Sequence, residues 1–582
     1  MSRFGSVLGL VARLPTVMRT LSYLRPAQAR AQIRHALFGL PAPCEFSGPT
    51  PTLAIEAVVT PFLDPPAHVK SLGSNRIEML GVAFDLEQPV DWQFQAAGPL
   101  FAYHLHQHEV LRLSEFPRSS REAFLRDWVR NHTSGVGWDP HPISLRLFCW
   151  GKLLATPGML DLDLDLDTAG DRDDVEESVG ATRGNLREVM LRSMARQVET
   201  LANGLEIRLQ ANHLLSNLMA VVFVGLLLGG EAGDRWLSRS RRLLQELDRQ
   251  VRPDGGHEER SPMYHSLLLE NVLDLLNLCR SAGSRAPAGF EEALGEVAQR
   301  MLAALEVMTH ADGQIALFCD SAFAIAAPPV TLRGYAGRLG LPLSTSSDSR
   351  LLPLTGYLRL RKGDFDLIAS VAGPSPAHQP GHAHCDALAF ELSVCGQRLV
   401  TDTGVFEYRP GERRDRARRT SSHATLVFDR REQAELWSAH RVGGRPTVEL
   451  AGWDESGSAE ATCRGWSRHA PLHRRFFAVE EQSVSITDCV EGAFEEIRFS
   501  LPIDPAWQVE LASSRARATR ISQEAERFVV EIDLSRRFEW TLERGFYYPT
   551  FGSEVERFVL VGVATGAKSN WGEATTLFRR MP

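Results

Sequence analysis

The sequence lacks the features that mark several large classes of protein. Its net charge is −8 and its pI is near 6.2, so it has no basic surplus, which argues against nucleic acid as its main partner. Its eight cysteines are scattered and form no Cys-x-x-Cys pair, so we expect reduced, mostly buried thiols instead of a disulfide framework or a zinc finger. Only 8% of residues are aromatic while 43% are hydrophobic, a composition typical of a folded, soluble protein.

Long hydrophobic runs are also scarce. The strongest internal run, residues 218–228, is too short to cross a bilayer and predicts a buried helix. The run at residues 4–12 is short, is interrupted by glycine and lacks a convincing small-residue cleavage site, so it is a poor secretory signal. We therefore expect a protein without a membrane span that resides in the cytoplasm, with the periplasm or export as the alternative.

The hydrophobic pattern changes once along the chain. Apolar residues at three- and four-residue spacing predict helices at residues 186–201, 213–228, 234–251, 262–279 and 290–308. From Gly356 onward, alternating and β-rich runs predict strands at residues 357–361, 365–371, 388–394, 425–428, 476–479, 483–486, 528–532 and 558–563. With the serine-rich stretch 344–349 as the boundary, the sequence predicts a helical domain over residues 1–345 and a β-sandwich domain over residues 350–582.

Residues 381–429 form the segment richest in reactive side chains, with histidines, carboxylates, a tyrosine and seven arginines. If residues 382–386 are extended, His382, His384 and Asp386 point to one face, which core packing does not explain. An apolar run, a turn at Gly396 and a second apolar run then predict a hairpin that carries this motif into a sheet. The alternative is a surface strand whose polar face meets water.

Two other clusters resemble metal sites less well. The aspartate-rich stretch 161–167 lacks the glycine and terminal glutamate of an EF-hand loop, so we interpret it as a solvated surface insert. His104, His106 and His108 alternate, but three ligands on one strand face seldom complete a tetrahedral shell, so an exposed strand or helix surface is favoured there.

Several motifs together resemble one known family. The patterns H-x-H-x-D before an apolar strand, D-x-G-x-x-x-Y, an arginine-rich loop and S-x-H-x-T are similar to the heparinase II/III family of polysaccharide lyases. Three upstream segments resemble the same family in the same order: W-D-P-H-P-I-S-L-R-L from Trp138, N-H-L-L-S-N from Asn212, and D-G-G-H-E-E-R-S-P-M-Y-H from Asp254. L-S-Y-L-R-P-A-Q-A-R at residues 21–30 is similar to the start of one bacterial branch. The resemblance implies an α+β multidomain protein, an N-terminal incomplete α/α toroid followed by a C-terminal antiparallel β-sandwich, with the active cleft between them.

The resemblance also implies a reaction, the β-elimination of an acidic, uronate-containing polysaccharide. A base must remove the proton at C5, an acid must protonate the departing oxygen at C4, and a donor must neutralise the uronate carboxylate. Asn212 would neutralise the carboxylate, Tyr264 and His382 would transfer protons near C5, and Tyr408 would act as base or acid according to the sugar's stereochemistry. The alternatives are purely structural roles: Asn212 would be a helix cap, and Tyr264 would be a tyrosine at a helix start that only packs against its neighbours.

Four further residues are predicted to contact the substrate. His213 would assist its neighbour at the carboxylate, and Trp138 and His265 belong to motifs that resemble the family. Arg419, just before T-S-S-H, is the arginine of the basic loop that we favour as a substrate or structural contact. An acidic protein that binds an acidic polymer needs such a local basic patch.

A metal site is the second implication of the resemblance. His384, Asp402 and His423 match the ligands of zinc-binding family members, so we expect one divalent ion, zinc, in a structural role. A tight hairpin at Cys395 would place Asp402 several residues away from His384, so the strands must bend for the three to meet. The chain also has Ala424 where the family usually has asparagine.

Three functional hypotheses follow. The leading one is a polysaccharide lyase that leaves unsaturated uronate ends, with an acidic polysaccharide or oligosaccharide as its partner and no nucleic acid. The second is a non-catalytic or biosynthesis-associated protein that binds acidic polysaccharide with the same fold. The third, a glycoside hydrolase, would need two opposed carboxylates from Asp254, Glu258 and Glu259. The sequence leaves open the polymer, the uronate epimer, endo or exo action and the oligomeric state.

Overall fold

Helices dominate the chain as far as Arg338. The computed structural model describes residues 14–87, 89–94, 96–160, 185–343, 349–521, 526–567 and 571–581. The first helix, α1, covers residues 14–22. The helices that follow are α2 (Pro26–Phe38), α3 (Pro99–Leu105), α4 (Arg118–Asn131), α5 (Pro140–Leu154), α6 (Leu186–Asn203), α7 (Ala211–Leu227), α8 (Gly230–Leu237), α9 (Ser240–Gln250), α10 (Pro262–Ala282), α11 (Phe290–Val307) and α12 (Pro329–Arg338).

The predicted helices are present, with one correction. The single helix expected at residues 234–251 is two, because α8 ends at Leu237 and α9 begins at Ser240. Between them the Ser238 hydroxyl donates to the carbonyl of Arg235 (2.6 Å), a local bond that competes with the helical ladder. The N-terminal run at 4–12, the aspartate-rich stretch at 161–167 and the serines at 344–348 lie outside the described residues.

The helical region also contains a small sheet that the sequence pattern did not predict. Its strands are β1 (Val69–Ser71), β2 (Arg76–Met79) and β3 (Val82–Asp85), paired antiparallel in that order. These strands have only three or four residues each, too few to show an alternation that stands out in a sequence. Their apolar side chains join the core formed by α5, α7 and α10.

Strands and one short helix, α13 (Glu412–Arg418), make up the rest of the described chain. The strands are β4 (Arg350–Leu352), β5 (Tyr357–Lys362), β6 (Phe365–Ser370), β7 (Phe390–Val394), β8 (Gln397–Val400), β9 (Leu426–Phe428), β10 (Leu436–Trp437), β11 (Arg441–Val442), β12 (Thr447–Asp454), β13 (Ser458–Arg464), β14 (Leu472–Val479), β15 (Ser483–Glu491), β16 (Phe494–Pro502), β17 (Gln508–Ala512), β18 (Arg515–Ile521), β19 (Arg527–Asp533), β20 (Glu539–Tyr547), β21 (Val555–Ala567) and β22 (Trp571–Met581).

These strands form antiparallel sheets that enclose a second core. One sheet has the order β4-β5-β6-β7-β8, a second β12-β13-β14-β15-β22-β19-β18-β17, and a third β20-β21-β16-β9. In β14 and β15 every second residue is buried, as expected of a sheet with one wet face. Phe390, Phe499 and Trp507 are among the large side chains buried between the sheets.

The histidine motif is not part of a strand, contrary to the expectation. Residues 381–389 form turns and loop, and β7 begins only at Phe390. The expected hairpin does follow: β7 and β8 pair across a two-residue turn at Cys395 and Gly396, both with positive φ. Glycine suits such a turn because it has no Cβ to clash. The motif therefore lies at the edge of the sandwich, where a loop can bend toward the helical domain.

His104, His106 and His108 are also not on an exposed strand. They lie at the end of α3 and just beyond it, and His106 and His108 are buried. Trp128 Nε1 donates to His106 Nδ1 (3.2 Å), and Trp150 Nε1 donates to His108 Nδ1 (2.9 Å). Burial lowers the pKa of both imidazoles, which therefore stay neutral and accept these bonds. They are core residues of a tryptophan-rich region.

The two domains are joined by a buried arginine. Arg260, in a left-handed conformation (φ 65°), extends its guanidinium from the helical side into the sandwich. It donates to the carbonyls of Thr355 (2.8 Å), Gly356 (3.2 Å), Ala372 (2.9 Å) and Gly373 (2.7 Å), and to the hydroxyl of Ser370 (2.9 Å). The tyrosine at position 357 donates back to the Arg260 carbonyl (2.5 Å). This dense set of bonds holds the domains in one relative position.

No helix within the described part of the chain is long and apolar enough to cross a membrane.

Candidate active site

A cleft of about 770 Å³ lies where the helical domain meets the sandwich. Both domains contribute side chains to its walls, and the aromatic rings of Phe406 and Phe551 are part of its apolar lining. The polar residues that line it include Tyr103, His141, Asn212, His213, Glu259, Tyr264, His382, Tyr408, Arg409, His440 and Arg441. A cleft with convergent polar groups on an apolar lining is the usual form of a ligand site.

Two tyrosines from different domains meet in this cleft. Tyr264 is in the first turn of α10, where the Ser261 hydroxyl caps its backbone N–H (3.1 Å), as the S-P sequence predicts. Tyr408 lies in the loop between β8 and α13. Their hydroxyls are 3.1 Å apart, within hydrogen-bond distance. Burial raises the pKa of both phenols, so both are protonated at neutral pH in the free protein.

His382 completes a compact group with the tyrosines. Its ring stacks on Tyr264 at a centroid distance of 4.0 Å and lies 5.8 Å from the ring of Tyr408. Its Nδ1 is 2.8 Å from Asp320 Oδ2, and its Nε2 lies 3.8 Å from Glu259 Oε2. A histidine held at one nitrogen by a carboxylate, with its other nitrogen toward the cleft, has the orientation required of a proton-transfer group.

Asp320 connects the groups on the sandwich side of the cleft. Its carboxylate accepts from His382 Nδ1, from His384 Nε2 (2.8 Å) and from two nitrogens of Arg414. Burial alone would raise the pKa of Asp320, but the Arg414 charge and both histidine bonds hold it well below its usual range. Asp320 is thus a permanent anion that orients three partners, and it has no oxygen left for substrate.

Sequence reasoning missed Asp320. It lies outside the recognised motifs, and its partners are about 60 and 94 positions further along the chain. The only local signal is a carboxylate directly after the apolar run 315–319, which marks a buried charge that needs partners.

Glu259, which the sequence offers only as a candidate hydrolase residue, faces the cleft. Its Oε1 accepts from the backbone N–H of Asn212 (3.0 Å), while its Oε2 is buried and has no hydrogen-bond partner within the described chain. Burial raises its pKa, and the charge of His382 opposes this only in part. A carboxyl group of this kind is suited to hold a proton and to donate it in a hydrogen bond.

Asn212 and His213 are at the start of α7, on the helical side of the cleft. The helix has no side-chain cap, so Asn212 does not serve as one, and its half-buried carboxamide borders the cleft. His213 Nδ1 is 3.1 Å from Glu206 Oε2. Burial alone would lower the pKa of His213, but the charge and hydrogen bond of Glu206 outweigh it and raise the pKa. An amide donor and an imidazole whose protonated form Glu206 favours are therefore side by side.

Strained backbone lies directly beside three of these residues. Ala211, Arg260 and Cys319 all have positive φ (47°, 65° and 56°), which residues with a Cβ rarely adopt. They neighbour Asn212, Glu259 and Asp320 in sequence. Each such residue costs on the order of 1–3 kcal/mol, and such costs tend to occur where a site imposes them.

The three predicted metal ligands converge. One ligand atom from each of His384, Asp402 and His423 lies within 4.8 Å of the others, and all three residues are buried. His384 Nδ1 and His423 Nε2 have no hydrogen-bond partner among the described residues, and His423 Nδ1 is 2.7 Å from Asp402 Oδ2. Burial lowers the pKa of His384 to about 4, so its imidazole is neutral. Two buried imidazole nitrogens without partners beside a carboxylate fit a small divalent cation.

The expected obstacle to this convergence is resolved by the loops. His384 precedes β7 and is free of the sheet's register, while Asp402 follows the end of β8. Asp402 is held by the N–H of Thr403 (2.7 Å), and its own N–H donates to Glu391 (2.8 Å). His423 is brought in by the turn after α13. The ligands therefore meet at the end of the hairpin.

Two of the predicted substrate contacts are corrected by the structure. Trp138 is buried in the helical core, where its Nε1 donates to the carbonyl of His132 (2.9 Å) and its ring stacks on Trp128. From the same motif His141, not Trp138, reaches the cleft. His265 is also buried and directs Nε2 to the carbonyl of Met301 (2.9 Å), because it lies on the opposite side of α10 from the cleft.

Arg419 is the third correction. It lies near the surface and pairs with Glu412 (3.1 Å), outside the cleft. In this loop Arg409 lines the cleft, and Arg414 is buried behind it against Asp320. The short helix α13 explains the difference, because it turns one face of the basic run inward and leaves the other in solvent. Without that helix, nothing in the run distinguishes Arg414.

Two family descriptions match the chain. Residues 184–327 match "Heparinase II/III N-terminus" and residues 344–568 match "Heparinase II/III-like, C-terminal". Among solved structures, a crystal structure of heparinase III is similar with a TM-score of 0.65 and 16% identity, covering 85% of this chain and 79% of that one. A mutant of the heparan sulfate lyase HepC from Pedobacter heparinus is similar with a TM-score of 0.57 and 16% identity, covering 88% and 81%. The predicted architecture, an incomplete α/α toroid followed by an antiparallel β-sandwich, is confirmed.

The chain is also similar to a protein whose name refers to FtsZ and not to a polysaccharide. The chain is 26% identical over 351 residues to FtsZ-localized protein C from Caulobacter vibrioides. The match covers 58% of this chain and 54% of the relative, so the chain spans about half the length of that protein.

Proposed function

The chain belongs to the heparinase II/III-like family, and from this premise we propose that it is a polysaccharide lyase that cleaves a uronate-containing polymer by β-elimination. The observation that carries the proposal is the meeting of Tyr264, Tyr408 and His382, from both domains, at one point of the cleft. Elimination needs a base and an acid within reach of one sugar ring, and this group supplies both.

The first requirement is charge neutralisation. The C5 proton becomes acidic enough to remove only when the neighbouring carboxylate loses its negative charge to donors. Asn212 would donate through its amide, His213 through a ring N–H whose protonated form the raised pKa favours, and Glu259 through its carboxyl group when protonated, a form that burial favours by raising the pKa. Three donors at one edge of the cleft suit a carboxylate.

The second requirement is proton transfer. His382, or a tyrosine that has first passed its phenolic proton to His382, takes the C5 proton, the C4–oxygen bond breaks, and a C4=C5 double bond forms. The departing oxygen takes a proton from a partner group of the same cluster, so no water is consumed. The proton taken from C5 then passes within the cluster to the group that gave one up, and the hydrogen bond between Tyr264 and Tyr408 lets either phenol receive it. Arg414, 5.1 Å above the ring of Tyr408, would stabilise a transient phenolate.

We also propose that His384, Asp402 and His423 hold one divalent ion, zinc first, in a structural role. When bound, the ion would supply a cross-link between the loop before β7 and the segments that carry Tyr408 and Arg414. His384 also bonds to Asp320, which orients His382. With the ion bound, His384 would be fixed in position, and Asp320, which bonds to both His384 and His382, would in turn hold His382 in place.

The expected cytoplasmic location, with the periplasm as alternative, is a further part of the proposal.

The decisive experiment identifies the product. Purified protein is incubated with heparan sulfate, chondroitin sulfate, hyaluronan, alginate and bacterial exopolysaccharides, beside the Tyr264→Phe variant as a matched blank. We expect ultraviolet-absorbing unsaturated ends whose masses contain no added water. Saturated ends that have gained water would contradict the lyase and support a hydrolase.

A second candidate function is a non-catalytic one, and the Caulobacter relative supports it. In that case the chain would bind acidic polysaccharide, or FtsZ, without cleaving a polymer. Binding to the polymer panel with no product, together with co-sedimentation with FtsZ filaments, would favour it. Product formation that the Tyr264→Phe variant lacks would exclude it as the sole function.

A further inference from the structure

The first two helices each turn several polar residues toward the protein and leave a set of large apolar residues exposed. In α1, Leu14, Met18 and Leu21 follow at helical spacing along one face. In α2, Ile33, Leu37 and Phe38 lie at its C-terminal end. All six are between 51% and 78% exposed. Helices on a soluble protein normally bury such a face, so this arrangement requires a cover.

The inward faces show that the orientation is specific. On α1, the Thr16 hydroxyl and Arg19 Nε donate to Glu435 of the sandwich (2.7 and 2.8 Å). Trp437 Nε1 donates to the Thr20 hydroxyl (3.0 Å). These bonds would break if α1 rolled over to bury its apolar side.

The same holds for α2. Gln28 is fully buried and donates to the carbonyl of His378 (3.2 Å), and Gln32 donates to the carbonyl of Arg208 (2.9 Å). Both helices are thus fixed to the protein by polar contacts, and their apolar sides remain available to a partner.

The charge of this segment indicates the partner. Residues 14–44 contain four arginines and no aspartate or glutamate, although the whole chain has a net charge of −8. Arg30 and Arg34 are exposed beside Ile33 and Leu37, and neither has an ion-pair partner among the described residues. Exposed arginines that flank large apolar side chains are typical of helices that lie in the interface of an anionic membrane.

We propose that α1 and α2 bind the surface of an anionic lipid bilayer, with Ile33, Leu37 and Phe38 inserted among the acyl chains and Arg30 and Arg34 at the headgroups. A second copy of the chain fits this face less well, because it would bring equal positive charges together. The proposal concerns a surface outside the cleft and does not depend on the lyase activity.

Flotation with lipid vesicles tests the proposal on the full chain. Vesicles of phosphatidylcholine with about one third phosphatidylglycerol are compared with pure phosphatidylcholine at low and high salt. We expect the protein to float with the anionic vesicles and to bind at least ~tenfold less to the neutral ones. Added salt should weaken the binding.

Two double variants separate the contributions of the apolar side chains and of the arginine charges to vesicle binding. Leu37→Asn with Phe38→Asn removes the inserted side chains, and Arg30→Gln with Arg34→Gln removes the exposed charges. Each should lower vesicle binding at least ~tenfold while the melting temperature stays unchanged, since all four side chains are exposed. Val330→Asn, at an equally exposed apolar position (69%), and Arg536→Gln, at an exposed arginine of the sandwich, are the matched controls and should bind as the wild type does.

Three outcomes would overturn the proposal. The first is no flotation with anionic vesicles at low salt. The second is flotation that neither double variant reduces. The third is a dimer in solution that the Leu37→Asn, Phe38→Asn variant dissociates without any vesicle binding, which would identify a second copy as the cover.

Discussion

Tyr264 and Tyr408 belong to different domains, and yet their phenolic oxygens lie 3.1 Å apart. One hydroxyl therefore donates a hydrogen bond to the other, and removing either hydroxyl also removes the partner of the other. We predict that Tyr264→Phe and Tyr408→Phe each lower kcat on an unsaturated-end assay by about a hundredfold or more. The kcat of the double variant should be only slightly lower than that of the less active single variant, because the two residues act as a unit. Tyr547→Phe, at a buried tyrosine that does not line the cleft, is the control. Near-normal turnover in both single variants would show that the phenols carry no proton.

Asp320 is a positioning residue, because it orients His382, His384 and Arg414 without an oxygen free for substrate. Asp320→Asn should lower kcat at least ~hundredfold with a smaller change in KM. It should also cost on the order of 3 kcal/mol of stability, since Arg414 keeps a buried charge with no counterion. Asp366→Asn breaks another buried pair, with Arg359 (2.6 Å), and controls for stability alone. If both variants lose kcat equally when they are assayed below their melting temperatures, Asp320 does not position the groups of the site.

The metal proposal predicts about one zinc ion per chain in protein never exposed to chelators, measured by elemental analysis. His423→Ala should lose the ion and melt at lower temperature, because metal binding is coupled to folding. His473→Ala is the matched control: His473 is also a buried histidine paired with a carboxylate (2.6 Å from Asp488), and its loss should lower stability while leaving the metal bound. Native protein without any divalent ion would refute the site.

Variants of Glu259 distinguish whether its carboxyl group acts as a protonated hydrogen-bond donor or as a general base. Because burial raises its pKa, the carboxyl group is protonated below that value and loses its proton as pH rises through it. Activity should therefore fall on the alkaline side, and Glu259→Gln, which still donates, should keep most activity and flatten that limb. Glu259→Ala should lose activity about as strongly as Asn212→Ala, on the order of a hundredfold. A glutamine variant as inactive as the alanine one would indicate a base instead.

Glu258 makes a prediction about stability. Burial and the neighbouring Glu259 raise its pKa from 4.5 to about 7. Between these values the folded state binds more protons than the unfolded state, so stability falls as pH rises through this window. At pH above about 7 the cost is on the order of 3 kcal/mol. Glu258→Gln removes it, so the variant should gain melting temperature over the wild type at high pH and lose this advantage below pH 4.5. Glu495→Gln, at the surface, should show no such dependence.

Much of the architecture could be predicted from the sequence. Long helices such as α6, α7 and α10 have enough residues for a 3.6-residue period to stand out, and the capped start of α10 was visible in S-P. The three-residue strands β1 and β4 carry too few residues for any period. The break between α8 and α9 also escaped the pattern, because apolar spacing continues across it.

The motifs name four residues that the structure brings to the cleft, but a motif does not give the direction in which each side chain points. Asn212, Tyr264, His382 and Tyr408 all border the cleft. Trp138 and His265 belong to equally good motifs but point into the core, because a motif does not state which side of a helix faces the ligand. Asp320 could not be found at all, since its importance arises from partners that only the fold brings to it.

The junction at Arg260 has a consequence for how this protein can change over time. Four of its five bonds to the sandwich end on main-chain carbonyls, which every amino acid possesses. Bonds of this kind do not depend on the side chain of the acceptor residue, although Gly356 is restricted by its positive φ (82°) and by Ala372 beside it, and Thr355 by the bond of its hydroxyl to Asp254 (2.7 Å). The identity of Arg260 therefore matters more to these five bonds than the identity of its acceptors. The walls of the cleft can accumulate substitutions that suit a new polymer while the distance between Tyr264 and Tyr408 stays the same.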